Sequence, residues 1–398
     1  MLRSLYSGIS GLRSHQTMLD VTGNNIANVN TAGYKASVTQ FQDTLSQLTQ
    51  GAAGPQAGVG GTNPAQIGLG VQVAAISTNF AQGSAQATGR ATDMMISGDG
   101  FFVTRLGAET LYTRAGSFGF DAAGRLVTPD GAIVQGWSAV NGQIDASGAV
   151  SDISLPQQAI TAADQTLNAT VSGNLPDDAA VGDTFVRDID VYDTVGTIRK
   201  LTLTFTRTGA PDPDGWTVDG VDSDGATNSS AVGGLTFTDG VVDLPVPAIS
   251  VGGVAVDLST LTGYAGLTTV SISSQDGRPA GTLDSFSLTK DGTLVGSFSN
   301  GSKEMIGRIA LANFVNPGGL EKAGASAYRL SSNSGAAVYG AAGSDGLGSL
   351  AAGSLEMSNV DLSQEFTNLI VAQRGFQANA RIITTSDEVL QELTNLKR

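Results

Sequence analysis

The last segment of the chain, from Leu355 to Arg398, places apolar residues at alternating spacings of four and three. This spacing is typical of a helix with one narrow apolar stripe, and polar side chains cover its remaining faces. The stripe consists of Leu362, Phe366, Leu369, Phe376, Ala380, Ile383 and Leu390. A helix of about 40 residues would be roughly 60 Å long, more than one compact domain can bury. We therefore expect it to pack against other helices.

The first segment of the chain repeats this spacing. Its stripe consists of Leu2, Leu5, Ile9, Leu12, Gln16, Leu19 and Ile26. Gly8, Gly11 and Gly23 are expected to loosen the helix, because glycine lowers helix stability. Two matching stripes predict antiparallel pairing of residues 1–30 with 355–398, in coiled-coil packing within a subunit and between subunits. The alternative is a pair of helices docked on one globular domain.

Between the helices the pattern changes twice. Residues 31–70 are expected to form a connector, with a short helical stretch marked by Val38, Phe41, Leu45 and Leu48 and a glycine-rich loop over 51–61. From Val71 onward, short apolar or alternating runs are separated by Gly, Asp and Pro turns, which predicts strands. The fold class is therefore mainly β with α-helical termini.

A repeat indicates the domain plan. Phe118-x-Phe120-x-x-x-Gly124-x-Leu126-Val127 recurs with the same spacing as Phe286-x-Leu288-x-x-x-Gly292-x-Leu294-Val295, and each copy has the pattern of a β-hairpin. We infer a first β domain, 71–145 with 284–354, into which a second β domain, 146–283, is inserted. Within the insertion, the alternation of Leu201, Leu203 and Phe205 with threonines predicts a strand with one buried face. The alternative is that the two hairpins share only a common short pattern.

Charge and composition exclude several classes of function. The formal net charge is -15 at pH 7 and the chain has no cysteine. The acidic balance argues against nucleic-acid binding, and thiol chemistry and disulfides are absent. The single histidine, His15, is expected on the polar face of the first helix. No segment has the length and hydropathy of a membrane span or a cleaved signal peptide.

Three local patterns suggest chemistry, and each has a plainer explanation. Residues 97–100, Ser-Gly-Asp-Gly, lack the lysine of a phosphate loop and predict a tight turn. Asp219-x-x-Asp222-x-Asp224-Gly225 departs from calcium-loop spacing, and aspartate is common in turns. A glycan-active enzyme could use Asp212 or Asp214 beside Trp216, but no second carboxylate is fixed opposite. We therefore predict no catalytic, cofactor-binding or metal-binding residue, and no cofactor.

Two motifs carry a family resemblance. The first twelve residues, MLRSLYSGISGL, precede an Asn-rich and Gly-rich stretch over 23–35, and both resemble the N-terminus of the bacterial flagellar rod and hook axial proteins. The motif residues are Asn24, Asn25, Ala27, Asn28, Gly33 and Tyr34. Residues 358–366, SNVDLSQEF, and 373–379, QRGFQAN, resemble the other end of the same family. The resemblance spans almost the full length and is strongest to the hook members, since rod members normally lack an insertion such as 146–283.

The resemblance implies a structural subunit and not an enzyme. It would polymerise helically into the curved, flexible tube of the flagellar hook, a universal joint that transmits torque from rod to filament and encloses the export channel. The implied partners are further copies of the chain, the distal rod protein, the hook cap protein, the hook-filament junction protein and the flagellar type III export apparatus. Nucleic acid and membrane insertion are not expected. The implied location is the extracellular hook, reached without a cleaved signal peptide.

Phe41 and Leu45 also have the form of an export-gate motif of early flagellar subunits. Packing within a helix is the alternative, since this spacing is common in helices. A third class of function, an adhesin or surface-layer protein, would explain the β domains but not the matched helical stripes.

Overall fold

The structure is a computed structural model that describes residues 2–55, 58, 60–140, 142–155, 160–209, 215–223, 227–243, 249–344 and 346–395. The chain divides into two compact units. Unit 1 comprises Met1–Pro156, Ser287–Val295 and Met305–Arg398, and unit 2 comprises Gln157–Phe286 and Gly296–Glu304. Most regular structure is β, with one long helix near each end of the chain.

The helices are α1 (Leu2–Ala27) and α2 (Leu362–Asn395), with one 3-10 turn over Pro317–Gly319. The first strands are β1 (Ser37–Asp43), β2 (Ser46–Gln50), β3 (Ala65–Gly68), β4 (Val71–Thr78), β5 (Ala85–Ala87), β6 (Met94–Ser97), β7 (Phe101–Leu106), β8 (Glu109–Thr113), β9 (Gly119–Phe120), β10 (Leu126–Val127), β11 (Ile133–Ser138) and β12 (Ser151–Asp152). The middle strands are β13 (Ile160–Thr161), β14 (Asn168–Asn174), β15 (Thr184–Tyr192), β16 (Ile198–Thr208), β17 (Gly215–Asp222), β18 (Thr227–Leu235), β19 (Phe237–Thr238), β20 (Val241–Val242), β21 (Ile249–Val251), β22 (Val254–Thr262) and β23 (Ser271–Gln275). The last strands are β24 (Gly281–Leu288), β25 (Thr293–Phe298), β26 (Lys303–Asn313), β27 (Glu321–Gly324), β28 (Ala327–Arg329), β29 (Val338–Ala341), β30 (Ser349–Ala352) and β31 (Ser354–Glu356).

The C-terminal helix begins later than the sequence predicted. Residues Ser354–Glu356 form β31, which pairs with β5, and α2 starts at Leu362. The start is set by Asp361, whose Oδ1 accepts the backbone N–H groups of Ser363 and Gln364 at 2.8 and 3.3 Å. This satisfies two N–H groups that have no partner within the helix, as an N-cap residue does. Residues 396–398 of the predicted helix lie outside the described residues.

The predicted connector 31–70 contains no helix among its described residues, so that prediction was wrong. Val38 and Phe41 lie in β1, which pairs antiparallel with β4, and Leu48 lies in β2, which pairs antiparallel with β3. The four-residue spacing of these apolar residues was misleading, because pairing with later strands supplies the hydrogen bonds that a helix would have made locally. The glycine-rich stretch over 335–353 contains strands β29 and β30.

The largest sheet region of unit 1 runs in the order β26, β11, β7, β8, β28, β27, and β29 pairs with the other side of β26. Its core is largely aromatic, because alternate residues of β7 point inward together with residues of β8, β11, β26 and β28 and with Phe314 after β26. The rings of Tyr112 and Phe314 meet edge to face with centroids 4.8 Å apart. The apolar run over 306–313 lies in β26, which ends at Asn313.

Both predicted hairpins are present. Strand β9 pairs antiparallel with β10, and β24 neighbours β25. In each turn a glycine adopts positive φ, Gly124 at 77° and Gly292 at 81°. The N–H of each glycine donates to the residue three positions earlier, Asp121 or Thr289. The repeat therefore marks two turns of the same local geometry.

Unit 2 contains two sheet regions around its own core. Strands β15, β16, β17 and β18 form an antiparallel sheet, and β19, β20, β22, β14 and β23 form a second, in which β14 and β22 are parallel. Leu201, Leu203 and Phe205 of β16 are fully buried, while the threonines between them are half-buried. The predicted face of this strand is confirmed.

The described candidate enzyme and calcium-binding residues of unit 2 do not form an exposed site. Asp212 and Asp214 fall outside the described residues, and Trp216 is fully buried in the core of unit 2, so it cannot serve as an exposed platform for a sugar. Asp222 is buried and its Oδ2 accepts a hydrogen bond from Arg199 Nη1 at 2.6 Å, while Asp224 lies outside the described residues. No group of three or more His, Asp or Glu side chains suited to a metal occurs in the described part of the chain.

Neither described helix combines the length and the hydropathy that crossing a bilayer requires.

Replacing Leu203 with Ala should destabilise unit 2 by about 3 kcal/mol, because the lost side chain leaves a cavity in a closed core. The matched change Thr204→Ala, on the half-buried face of the same strand, should cost less than about 1 kcal/mol. Urea unfolding followed by Trp216 fluorescence, in a Trp137→Phe background, measures both. Equal losses for the two variants would contradict the assigned faces of β16.

Candidate assembly site

Helices α1 and α2 pack against each other antiparallel. A Cβ at Gly8 would lie 3.4 Å from Ile382, one at Gly11 would lie 2.7 Å from Asn379 Oδ1, and Asn25 Nδ2 donates to Glu365 Oε1 at 3.0 Å. Residue numbers thus fall along α2 as they rise along α1. The predicted antiparallel pairing of the two terminal helices is present within one chain.

The surface by which the helices meet differs from the predicted apolar stripe. The buried residues of α1 are Gly8, Gly11, Ser14, Thr22 and Asn25, and those of α2 are Glu365 and Ala372. Glycine at these positions lets the two backbones approach closely, so small and polar residues face the partner helix. Two of the three glycines that were expected to loosen α1, Gly8 and Gly11, therefore lie at its closest contact with α2, whereas Gly23 is exposed.

The predicted stripe residues divide into two groups. Half-buried residues flank the contact, namely Leu5, Ile9, Leu12, Leu19, Ile26, Leu369, Phe376 and Ile383. Leu362, Phe366 and Leu390 are exposed. Leu2 is the first residue of α1. Other apolar residues of α2 are exposed as well, namely Ile370, Val371, Ile382 and Val389. The long helix thus presents apolar side chains that its own chain leaves uncovered.

His15 occupies a space opened by a glycine. A Cβ at Gly375 would lie 2.5 Å from the His15 ring, and the ring centroid of Phe41 lies 5.8 Å away. The imidazole is half-buried, and its Nδ1 is buried with no hydrogen-bond partner among the described residues. His15 therefore fills a gap between α1, α2 and β1, where the sequence had predicted a polar-face residue.

A buried ion pair joins the segment after α1 to the segment before α2. Lys35 Nζ donates to Glu356 Oε1 at 2.6 Å and to the carbonyl oxygen of Ala81 at 2.7 Å, and both charged side chains are fully buried. The Gly83 N–H donates to Glu356 Oε1 at 2.8 Å, and Arg114 Nη1 lies 3.6 Å from Glu356 Oε2. Burial lowers the pKa of Lys35, and the Glu356 carboxylate opposes this shift.

Asn25 is the centre of a second buried contact beside this pair. Its Nδ2 donates to the Ser37 carbonyl at 2.8 Å and to Glu365, while its Oδ1 accepts the Ser37 N–H at 3.0 Å and the Tyr34 hydroxyl at 3.1 Å. All hydrogen-bonding capacity of this buried amide is used, which satisfies the requirement for burying a polar group. Burial raises the pKa of Tyr34, and the nearby Glu365 carboxylate adds to the effect.

The other motif residues shape the turn after α1. Gly33 has φ 68°, and a Cβ there would lie 2.4 Å from the backbone nitrogen of Ala115, so only glycine fits. Asn24 Nδ2 donates to the Tyr34 hydroxyl at 3.1 Å, and Asn28 Nδ2 donates to the Asn24 carbonyl at 2.9 Å. Ala27 is the exposed last residue of α1.

Sequence reasoning missed the acidic and amide partners supplied by the C-terminal segment. Glu356, Asn359 and Glu365 each bind the segment that follows α1 or α1 itself; Asn359 Oδ1 accepts the Ala36 N–H at 2.8 Å. A usable signal was present, because Lys35 is one of only six lysines and closes the motif stretch. We name this set of buried contacts, Asn25, Tyr34, Lys35, Glu356, Asn359 and Glu365, the polar junction.

The candidate export residues lie near the helix pair. Phe41 is in β1 against His15, and Leu45, between β1 and β2, is 83% exposed. The structure places Phe41 in a two-stranded ribbon and Leu45 shortly after it, and neither residue lies on a helix.

Three family models match: "Flagella basal body rod protein" over residues 5–35, "Flagellar hook protein FlgE/F/G D1 domain" over 95–174, and "Flagellar basal body rod FlgEFG protein C-terminal" over 351–396. The first and last of these matches contain the two helices and the polar junction, and the middle one lies in the β region.

Relatives match along the whole chain. The flagellar hook protein FlgE of Treponema pallidum is 40% identical, and that of Borreliella burgdorferi 39% identical, each with 100% of both chains covered. The basal-body rod protein FlgG of Bacillus subtilis is 34% identical, again with 100% of both chains covered. Among solved structures, the hook protein FlgE2 of Helicobacter pylori aligns with a TM-score of 0.46 at 14% identity, covering 67% of this chain and 98% of that one.

Placing a large side chain at Gly11 should force the helices apart. We expect Gly11→Leu to lower the melting temperature of the helical signal, because its Cβ would collide with Asn379. Gly23→Leu is the matched control, since a Cβ at Gly23 meets nothing within 4 Å, and removing an exposed helix glycine should stabilise by about 1 kcal/mol. Circular dichroism at 222 nm measures both. If Gly11→Leu melts at or above the wild-type temperature, α1 and α2 do not make this contact.

Breaking the buried ion pair from one side should cost much more than breaking an exposed one. Glu356→Gln leaves the Lys35 ammonium buried without its counter-ion, and we expect a loss of about 3–5 kcal/mol. Asp121→Asn is the control, because the Asp121–Arg125 pair is partly exposed and screened by solvent, so losing it should cost much less. Adding Lys35→Met to Glu356→Gln should recover part of the loss in denaturant unfolding. A double variant as unstable as the sum of both single variants would show that the two charges do not interact.

Proposed function

This chain belongs to the FlgE/F/G family of flagellar hook and rod proteins and is a structural subunit of the flagellar hook. We propose that helices α1 and α2 are the elements through which copies of it assemble. The observation that carries this proposal is the exposed apolar surface of α2. A soluble single chain seldom leaves such residues uncovered along a helix of 34 residues.

We infer coiled-coil packing between copies from the same surface. The α1–α2 contact uses a stripe of small and polar residues, so most of the large apolar side chains of α2 are free to meet helices of neighbouring copies. A helical homopolymer built in this way would have the paired helices at its inside and would form the curved, flexible tube that transmits torque and encloses the export channel. The predicted assembly residues, including Leu2, Phe366 and Leu390, keep this role as a proposal.

We propose that the second β domain is inserted into the first, and the division of the chain into two units supports this. Unit 2 takes its chain from 157–286 and 296–304, two segments separated by residues 287–295 of unit 1, and has its own closed core. These boundaries lie close to the predicted insertion 146–283. A separately cored unit in the middle of the chain could differ in size between family members without disturbing the helices.

The remaining partners and the route of export are proposals from the family alone. They are the distal rod protein, the hook cap protein, the hook-filament junction protein and the type III export apparatus, with export before folding and without a cleaved signal peptide. Phe41 and Leu45 are proposed as the export motif. Both side chains are exposed, so neither is needed to fill a core of the folded chain, which supports a role before folding.

The test compares assembly of the full chain with two sets of variants. Phe366→Ser, Val371→Ser and Val389→Ser combined should abolish tubes seen by sedimentation and electron microscopy, because assembly would have to leave these apolar contacts unmade. Removing residues 2–27 or 362–398 should do the same while leaving Glu356 in place.

The control changes two apolar residues of unit 2 that are more exposed than those of α2, Val181→Ser and Val195→Ser, at 71% and 73%. We expect this variant to form tubes like the full chain. Tubes from the triple α2 variant, or from chains that lack either helix, would overturn the proposed role of the helices.

A further inference from the structure

A cavity of about 520 Å³ opens in unit 1 beside the polar junction. One wall is the end of α1 and the turn after it, and the opposite wall is the turn between β27 and β28 with the adjoining strands. The lining mixes hydrogen-bond donors with apolar surface, and includes Asn24, Thr31, Tyr34, Leu111, Lys322 and Ser326. A concave surface with a few convergent polar groups is the usual form of a binding site.

Lys322 supplies a positive charge to this cavity. Its Nζ donates to Ser37 Oγ at 2.8 Å and lies 5.3 Å from the centroid of the Tyr34 ring. No ion pair joins it to a carboxylate in the described part of the chain, and Asp130 is the only acidic residue in the cavity lining. Partial burial of the ammonium lowers the pKa of Lys322.

The turn on the opposite wall has an unusual backbone. Ala325 and Ser326 both adopt left-handed conformations, with φ 49° and 57°, where glycine or asparagine is normal. Each such residue costs roughly 1–2 kcal/mol. The turn is held against β8 by Thr113 Oγ1, which donates to the Ser326 carbonyl at 3.0 Å. Strain of this kind is common where a surface is shaped for a ligand or partner.

We propose that this cavity receives an aspartate or glutamate side chain from a second copy of the chain, with Lys322 as its counter-ion. The proposal rests on the proposed assembly and names one contact within it. Charge complementarity identifies the partner, because the chain has 36 acidic residues against 21 basic ones, so a neighbouring copy presents many carboxylates. The Ser37 bond leaves donors of the Lys322 ammonium available to a carboxylate, and Tyr34 and Leu111 offer apolar surface to the residues on either side of it.

Such a contact would select one arrangement of neighbours. Copies with a net charge of -15 repel one another over most of their surfaces, so an isolated cation in a shaped cavity favours the one register that brings a carboxylate to it.

The first test measures whether assembly covers Lys322. Full-length chain is acetylated with an N-hydroxysuccinimide ester in solution and as pelleted polymer, and acetylation of each lysine is quantified by mass spectrometry. We expect Lys322 to react at least about tenfold more slowly in the polymer. Tubes in which Lys322 reacts as fast as in the soluble chain would overturn this inference and leave the role of the helices intact. Failure of the chain to polymerise at all would overturn both.

The second test identifies the partner group. A polymer assembled from an equal mixture of unlabelled and nitrogen-15 chains is treated with a carbodiimide, which joins an amine directly to a carboxylate. Lys322 should be joined to an Asp or Glu peptide, with about half of the products carrying one peptide of each label. Products that carry only matched labels, as a bond to Asp130 of the same chain would give, contradict a contact between copies.

Variants separate the charge from the local hydrogen bond. Lys322→Met should raise the critical concentration for assembly by about tenfold or more, the scale of losing one enclosed charge pair. Ser37→Ala removes the Oγ acceptor but keeps the cation, and it should assemble within about twofold of the wild type. The thermal melt of each soluble variant reports its fold. A Lys322→Met chain that melts normally and assembles normally would exclude the contact.

Discussion

The buried ion pair between Lys35 and Glu356 is the contact on which the arrangement of both chain ends depends. Taking two charges out of water costs several kcal/mol, so the pair is tolerated only because each partner has further bonds. The Ala81 carbonyl and the Gly83 N–H provide them, and the Arg114 guanidinium adds a positive charge 3.6 Å from the second carboxylate oxygen of Glu356. Since Lys35 follows α1 and Glu356 precedes α2, this one site fixes where the two helices leave the β region. The Asn25–Glu365 bond then sets the register in which they pair.

This arrangement explains why the helix contact itself can be weak. A stripe of glycine, serine, threonine and asparagine buries little apolar area, and alone it would not offset the entropy of ordering two long helices. The polar junction fixes the relative position of the two helices, because buried polar groups with all their hydrogen bonds made accept few alternative geometries. The large apolar side chains are consequently not needed for pairing within the chain. They flank the contact or face outward, where neighbouring copies can cover them.

Sequence patterns revealed those features whose cause is local. The alternation around Leu203 encodes which face of β16 is buried, the glycines of the two hairpins encode positive φ, and the apolar spacing near both termini encodes helices. The contact stripe of α1 and α2 was beyond this reasoning, because hydrophobic periodicity locates large apolar residues and says nothing of where glycine permits two backbones to approach. The helical prediction around Phe41 failed for a related reason: its partner strand β4 lies far along the chain. The Lys35–Glu356 pair joins residues more distant still.

The charge of the chain sets a condition on assembly. With a net charge of -15 each copy repels the next, and this repulsion keeps separate chains apart although α2 exposes phenylalanine, isoleucine and valine. Assembly must therefore gain enough from apolar burial along the helices to exceed the repulsion, and salt helps by screening it over about 10 Å or less. Apolar burial has no direction, so it cannot choose among the ways of sliding one helix along another. Directional contacts have to do so, and a lone lysine in a polar cavity, surrounded by copies rich in carboxylates, is a contact of that kind.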